Sequence, residues 1–417
     1  MIQRLETLYY QCLRHVDRHL TSCQVLVGPN ASGKTTFLDA IAFFGDLVRD
    51  GLDAAIHNRT VHVQDLIWHH KADRFELAIE LPVPEPEGNL FSDHAYTRCR
   101  YEIAVGLLDE TGEPGILAEK VLLLTEGVRD EQGGVQESLF PIDGPAPKTL
   151  SSPRLRGVKT IIHKISGGND KFYDETGAGW DPSFKLGPKR SALANLPEDE
   201  SRFPVATYLK RTLSFGLQRL TLNSANLRRP SPPGQIRHLR ADGTNLPWII
   251  AALEEKNPTA HSAWINHLRH VLPNIETIRT FMRPEDRHRY IMVKYQNGLE
   301  IPSWMLSEGT LRLFAFTLLA HLPDFEGIYL IEEPENGLHP GAVETAFRAL
   351  NAIPKAQILM TTHSPVILNI VDPDYLLCFT TSDTGATKII SGAEHPGLSN
   401  WQTHTDLSTL FGAGMLR

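Results

Sequence analysis

Eight residues, Gly28-Pro29-Asn30-Ala31-Ser32-Gly33-Lys34-Thr35, constrain this chain more than any other stretch. They match the pattern G-x-x-x-x-G-K-[ST] at every restricted place, and their context agrees with it. The apolar run Val25-Leu26-Val27 precedes them as a buried strand, and Thr36 to Ile41 follows as the start of an amphipathic helix. Glycines let the backbone curl until successive N–H groups point inward at phosphate oxygens, and the positive end of the following helix adds to that field. The cradle is expected to run from Gly28 through Thr36. Lys34 then reaches the β- and γ-phosphates, and the Thr35 hydroxyl ligates Mg²⁺.

A chain of 417 residues has room for two or three average domains or one large α/β unit with insertions. With 41 basic against 49 acidic residues it carries −8, so it is no polycation and any nucleic-acid contact must come from a local patch. Met1 to Leu20 contains Arg4, Glu6, Arg14, Asp17 and Arg18, which excludes the apolar core of a signal peptide. The best apolar run, Leu313 to Ala320, is too short to span a bilayer. Cys12, Cys23, Cys99 and Cys378 are scattered, as expected of reduced thiols in a cytoplasm.

Residues 1–27 read as one or two strands leading into the loop. The helix after it carries Phe37, Leu38, Ile41, Phe44 and Val48 as a stripe for packing on a sheet. From Phe75 the apolar period falls to two: Phe75 to Leu81, Tyr101 to Leu107 and Lys120 to Leu124 read as antiparallel strands with turns at Pro82 to Pro86 and Thr111 to Gly115. Residues 126–190, rich in Gly, Pro, Ser and Lys, read as an irregular, partly mobile insertion. Between Ser201 and Arg240 no Asp or Glu occurs, while Arg202, Lys210, Arg211, Arg219, Arg228, Arg229, Arg237 and Arg240 are basic. This local inversion of charge reads either as a face for a phosphate backbone or acidic partner, or as solvated arginines around a helix and a proline-rich loop. A helical region follows from Leu246 to Leu272. Within it His267 and His270 have a metal-compatible i, i+3 spacing, but no carboxylate or cysteine completes a ligand set, so they read as surface histidines. No sustained heptad predicts a long coiled-coil arm.

Ile328 to Glu333 reads as a short buried strand ending in two carboxylates, a Walker B pattern. Glu332 is placed to hold Mg²⁺ directly or through water, and Glu333 to orient or deprotonate the attacking water. Gln357 to Ser364 gives another apolar strand, ending in His363 where a γ-phosphate could be touched. Upstream, Leu306-Ser307-Glu308-Gly309-Thr310 opens the helix Leu311 to Leu322, with Ser307 as its N-cap and free N–H groups for an anion.

Phosphate loop, Leu-Ser-x-Gly, acidic strand and strand-end histidine follow one another in the linear order of the ATP-binding-cassette class. The sequence resembles ABC-class ATPases related to the SMC and RecF heads, and most closely the stand-alone AAA-type ATP-binding proteins of bacterial antiphage and OLD-like systems. The resemblance rests on Gly28 to Thr35, Leu306 to Thr310, Glu332 to Pro340 and Thr362 to Pro365, with looser likeness at Tyr10 to Arg14, Gly51 to Arg59 and Leu239 to Leu246. It implies an α/β fold, a two-lobed ABC-type P-loop ATPase head with an antiparallel β lobe and a helical insertion. In the corresponding division, residues 1–190 form the N-terminal lobe, 191–300 the basic and helical insertion, and 301–417 the C-terminal lobe. It also implies ATP and Mg²⁺ as cofactors and a homo-oligomer, at least a dimer, with ATP sandwiched between protomers. Carried over, Lys34 and Thr35 bind phosphate and metal, Ser307 and Gly309 contact the γ-phosphate in trans, Glu333 is the general base and His363 the switch histidine. Three departures stand out. Glu332 replaces the commoner Asp, Glu308 and Thr310 replace the second glycine and the glutamine of the usual signature, and the glutamine loop has only Gln64 as a candidate.

The function this implies is a sensor or switch ATPase in antiphage defence that controls a separately encoded nuclease or toxin, since only 54 residues, Ser364 to Arg417, follow His363. The alternative is a DNA-repair ATPase that clamps duplex DNA through the Arg and Lys residues of 202–240, and a third reading is a nucleotide-gated scaffold with negligible turnover. About three hundred residues between the two Walker elements argue against a transporter cassette, and no N-K-x-D motif argues for guanine.

Overall fold

A computed structural model describes residues 1–84, 96–128, 146–153, 156–177, 181–236, 238–323, 326–353 and 355–395. They divide into two compact units: Met1–Thr21, Pro29–Leu217 and Phe379–Ile389 form the first, and Ser22–Gly28, Gln218–Cys378 and the chain from Ile390 form the second. Residues up to Leu217 of the stretch 191–300 fall in the first unit and those from Gln218 in the second.

The first unit begins with β1 (Arg4–Tyr10) and β2 (Leu13–His19). The chain leaves for β3 (Cys23–Val27) in the second unit and returns through the phosphate loop to α1 (Lys34–Asp50) and α2 (Leu52–His57). Then come β4 (Arg74–Pro82), β5 (Tyr96–Leu107), β6 (Pro114–Thr125), β7 (Val158–Ile165), β8 (Asp170–Phe172) and β9 (Ser183–Phe184), and α3 (Pro204–Arg211). The strands make an antiparallel sheet of order β2-β1-β4-β5-β6-β7-β8-β9. The period-two stretches therefore form strands as expected, while 126–190 is corrected. Residues 158–165, 170–172 and 183–184 continue the sheet, β7 pairing with β6 from Ala118↔Ile165 to Leu124↔Val158. Residues 129–145, 154–155 and 178–180 of that stretch, residues 85 and 86 of the expected turn, Arg237 and residues 396–417 lie outside the described residues.

α1 buries the predicted stripe of Phe37, Leu38, Ile41, Phe44 and Val48 and stops at Gly51, whose φ of 90° turns the chain back so that its N–H reaches Asp46 O and Leu47 O at 3.2 Å. Tyr10, Phe43 and Phe75 meet edge to face below it, with centroids 5.0 to 6.2 Å apart. The sheet also encloses Arg100, which has no exposed surface and is balanced by Glu6, by Glu80 at 3.0 Å and by Glu102 at 2.6 Å. A guanidinium so enclosed is tolerable because carboxylates neutralise it and Leu150 O accepts a further N–H at 3.2 Å.

The second unit contains β10 (Leu217–Leu220, from Gln218 onward), α4 (Ser224–Arg228), α5 (Leu246–Lys256) and α6 (Pro258–Arg269). The predicted helical region is broken because Pro258 lacks the N–H to continue α5 and Asn257 caps α6 instead, accepting from Ala260 N. Next come β11 (Ile275–Met282), β12 (Arg289–Tyr295), β13 (Glu300–Pro302), α7 (Glu308–Leu319), β14 (Gly327–Glu332), α8 (Pro340–Asn351), β15 (Ala356–Thr361), α9 (Pro365–Ile370) and β16 (Leu376–Thr381). A six-stranded sheet of order β10-β14-β15-β3-β16-β17, the last strand being β17 (Thr387–Ser391), runs through it, with β14, β15, β3 and β16 parallel. β11, β12 and β13 make a separate antiparallel sheet. The core packs Trp264 against Phe314 at 5.8 Å, and the indole N–H, which burial would otherwise leave unsatisfied, donates to Thr317 Oγ1 at 2.9 Å.

Candidate functional site

The site is read most directly from strand register in the second unit. Leu26, Thr361 and Glu332 pair in succession across β3, β15 and β14. Because these strands are parallel, their carboxyl ends form one edge, where the chain leaves β3 at Gly28. In open parallel sheets that edge is where ligands bind.

In the first unit the loop from Pro29 onward is held by contacts of its own. Lys34 is buried and its Nζ donates to Pro29 O at 2.7 Å, so the amine is folded back over the loop. Ala31 takes a φ of 62° and Gly33 a φ of 100°. A Cβ at Gly33 would lie 2.2 Å from Thr387 Oγ1 and 3.1 Å from Cys12 Sγ, which only glycine avoids. Thr387 holds both neighbours, its N–H donating to Cys12 O at 3.0 Å and its hydroxyl to Ser32 O at 2.9 Å. Thr36 Oγ1 donates to Gln11 Oε1 at 3.3 Å. Asn30, Ala31 and Thr35 are exposed, and Ser32 is buried with an Oγ that has no hydrogen-bond partner.

The second half of the motif set lies on the sheet edge. β14 ends at Glu332, one residue earlier than the sequence predicts, because Glu333 takes a φ of 45°, in the left-handed region. Its N–H donates to Thr361 O at 3.0 Å, and its carboxylate accepts from Asn336 Nδ2 at 2.6 Å and stands 3.8 Å from His363 Nε2. A non-glycine residue held there costs of order 1 kcal/mol or more, and such strain persists where the surroundings fix it. β15 ends at Thr361, so His363 sits on the loop that follows rather than on the strand. Glu335 secures that loop, accepting from Thr362 Oγ1 at 2.8 Å and from His363 N at 2.7 Å, while its Oε2 is buried without a partner. The Glu332 carboxylate accepts from the Arg219 guanidinium on β10.

Ser307 caps α7 as predicted, accepting from Thr310 N at 3.1 Å, and the helix starts at Glu308, three residues before Leu311. The departures from the usual signature have local work: Thr310 shares a 2.7 Å hydrogen bond with the Ser307 hydroxyl, and Glu308 pairs with Arg312 at 3.0 Å. A Cβ on Gly309 would lie 2.4 Å from Gly337 O, and Arg312 Nη1 donates to Asn336 O at 3.0 Å. The signature helix is thereby tied to the turn that holds Glu333. Gln64 sits exposed in a short 3₁₀ turn, Val63–Leu66.

Two sequence readings change. The basic run is divided between the units, and Arg202 pairs with Asp174 at 2.8 Å, Arg211 with Glu200 at 3.2 Å, Arg219 with Glu332 and Arg240 with Asp242 at 3.7 Å. His267 and His270 form no ligand pair, as expected, but His267 is half-buried rather than a surface histidine. Its Nδ1 stands 3.2 Å from His321 Nε2, and burial lowers the pKa of both. Sequence reasoning missed Arg219, Asn336, Glu335, Cys12 and Thr387 as neighbours of the motifs. Only the position of Glu335 and Asn336 just after the carboxylates hinted at them.

No group of three or more His, Cys, Asp or Glu side chains arranged for a metal exists among the described residues. The hydroxyl of Thr35 in the first unit and, taken by themselves, the Glu332 and Glu333 carboxylates in the second are hard oxygens, the donor type that suits Mg²⁺. No helix among the described residues is long and apolar enough to cross a membrane.

A parallel strand running into a phosphate loop, a two-carboxylate strand end and a capped signature helix define a P-loop ATPase with the fold of an SMC head. The chain belongs to the family described as "AAA domain, putative AbiEii toxin, Type IV TA system", whose model matches residues 24–369. A solved SMC head bound to the C-winged helix domain of ScpA is similar over 93% of this chain and 97% of its own, with 16% identity and a TM-score of 0.53. The SMC head domain from Thermotoga maritima is similar over 94% and 98%, with 13% identity and a TM-score of 0.46. No curated protein matches this chain.

Proposed function

We propose that this chain is a switch ATPase that binds ATP with its phosphate loop, assembles into at least a dimer on doing so, and resets by hydrolysis. The observation that carries the reading is Glu333: a carboxylate held at strained φ at the carboxyl edge of the sheet, oriented by Asn336 and flanked by His363. Such a carboxylate, open to solvent yet aimed by its neighbours, is what general-base activation of water requires. Lys34 and the loop N–H groups from Gly28 to Thr36 neutralise and orient the phosphates. His363 polarises the γ-phosphate or the water, and Ser307 and Gly309 of one protomer meet the γ-phosphate held by another, the exposed N-terminus of α7 supplying N–H donors. Thr35 and Glu332 would hold Mg²⁺, which when bound neutralises phosphate charge.

In this reading the output goes to a separately encoded nuclease or toxin in antiphage defence, in the cytoplasm. The family's description as a putative toxin of a type IV system supports a defence or toxin–antitoxin setting, and the free cysteines agree with a reducing compartment. A DNA clamp through 202–240 draws less support, because the run is split and four of its arginines already pair with carboxylates. The test is co-purification of tagged Glu333→Gln chain from its native host with ATP and Mg²⁺. Stoichiometric recovery of a second small chain, together with altered phage sensitivity on disabling Glu333, supports the switch. Recovery of DNA with repair proteins instead, or unaltered phage sensitivity, counts against it.

A further inference from the structure

The small antiparallel sheet β11-β12-β13 of the second unit buries one face and leaves the other open. Alternation along the strands turns Ile278, Ile291 and Val293 into the core beside α5 and α6. The other positions form the outer face, where Phe281 stands opposite Tyr290 and Arg279 opposite Met292, which in turn faces Pro302. Trp304, in the turn after β13, extends that row. Phe281, Tyr290 and Trp304 follow one another with ring centroids 6.1 and 5.2 Å apart and planes tilted by 30° and 50°. Phe281 is 45% exposed and Trp304 49%, and their chain neighbours Met282 and Met305 are open to solvent as well. Single exposed apolar residues are ordinary, whereas a contiguous row of large ones marks a recognition surface.

The charge around the row is positive. Residues 275–295 carry Arg279, Arg283, Arg287, Arg289 and Lys294 against Glu276, Glu285 and Asp286, in a chain of net charge −8. Three of these cations are engaged: Arg289 stacks on Trp248 at 4.7 Å, and Arg283 pairs with Asp286 and Lys294 with Glu276, each at 2.8 Å. Arg279 is 65% exposed, with its Nε 3.9 Å from Glu254. Arg287 near the hairpin tip and Arg229 are exposed, and neither has a hydrogen-bonded or ion-paired side-chain partner among the described residues. Arg229 lies two residues before Ser231, whose backbone bridges that of Arg289. Arginines beside open rings suit a ligand made of anionic linkages and flat bases. In a duplex the bases are stacked about 3.4 Å apart, closer than these rings, so an unpaired strand is what can lay its bases on them.

We infer that this face binds single-stranded nucleic acid, its bases stacked on Phe281, Tyr290 and Trp304 and its phosphates met by Arg279, Arg287 and Arg229. The rings lie outside the basic run 202–240, which contributes Arg229 alone. Binding here is independent of the ATPase reading; its consequence for the switch rests on that reading. The turn Ser303–Met305 that carries Trp304 runs into Ser307, the N-cap of α7. It is fastened there by Ser303 Oγ donating to Arg228 O at 3.1 Å and Arg228 Nε donating to Leu306 O at 3.2 Å. A strand on the rings therefore touches the element that presents the signature, and it serves as an input to the switch.

The experiment is fluorescence anisotropy of labelled oligothymidylate, oligouridylate and a mixed-sequence duplex of equal length with the full chain, in the absence of ATP. A single strand is expected to bind at least about tenfold tighter than the duplex, and the tighter of the two strands identifies DNA or RNA as its source. Phe281→Ala and Trp304→Ala, both at exposed side chains, should each weaken it about tenfold, the order expected for loss of one stacked base. Trp304→Phe keeps a ring and most of the affinity. Arg287→Ala should reduce the slope of log affinity against log salt by about 0.7. Equal affinity for strand and duplex overturns the inference, as does affinity that ring removal leaves unchanged. Absence of binding overturns it too, and sedimentation in which Trp304→Ala breaks up an assembly would make the face an interface between copies instead. For the coupling, added strand should change phosphate release by the unaltered chain about fivefold or more and leave Phe281→Ala as it was; an unchanged rate in the former removes the input role. Because the binding assays contain no ATP, their failure leaves the phosphate-loop reading standing, which ATP binding by Lys34→Ala tests separately.

Discussion

Replacing Gly33 by alanine tests how the phosphate loop is built. The residue sits at φ 100°, and a Cβ there would meet Thr387 Oγ1 at 2.2 Å and Cys12 Sγ at 3.1 Å. Left-handed backbone costs a non-glycine residue about 1–2 kcal/mol, and overpacking a fixed neighbour adds about 1–3, so Gly33→Ala should cost about 2–5 kcal/mol. Thr387→Ala alone removes the 2.9 Å bond to Ser32 O, worth about 1 kcal/mol. In the double variant the Thr387 clash is gone while the backbone strain and the Cys12 contact remain. The two losses should therefore fall short of their sum by about 1–3 kcal/mol. Urea unfolding of the four proteins measures this coupling, and ATP affinity, expected to fall at least about tenfold in Gly33→Ala and to recover partly in the double variant, measures it at the loop. Losses that add to within about 0.5 kcal/mol would refute the claim that Thr387 braces Gly33.

Gly309→Ala drives a Cβ to 2.4 Å from Gly337 O, against backbone rather than a flexible side chain. It should cost about 1–3 kcal/mol in urea unfolding and slow hydrolysis with little change in ATP affinity, because the shifted turn carries Asn336 and through it Glu333. The His267–His321 pair predicts a pH effect. Burial holds both below the ordinary value of 6.5, so the unfolded chain binds more protons once the pH falls below it. The pair's contribution is then present above 6.5 and lost as the pH drops through the depressed folded values. His321→Phe should flatten the loss of unfolding midpoint between about pH 7.5 and 5.5, and an unchanged slope would show that the pair is irrelevant to acid stability.

The phosphate loop, the acidic strand, Ser307 and the stripe of α1 were legible because each is local, a spacing or a cap within a dozen residues. What escaped depends on distant partners. Val158–Ile165 reads poorly as a strand beside glycines and lysines, and its place is set by register with β6. The apolar run Ile328 to Ile331 gave no sign that Glu333 leaves the strand, since its φ is fixed by the Thr361 carbonyl on the neighbouring strand. Arg219 reads as one of eight basic residues until β10 is seen beside β14, where it meets Glu332. Cys12 and Thr387 carry no motif; they matter because their side chains lie where a Cβ on Gly33 would go.

Glu333→Gln keeps shape and hydrogen bonding to Asn336 while removing the base. Steady-state phosphate release, measured beside ATP affinity, is the most direct test of the central claim. The account predicts affinity retained and turnover reduced about 10²–10⁴-fold. Turnover equal to that of the unaltered chain, with ATP still bound, would contradict it.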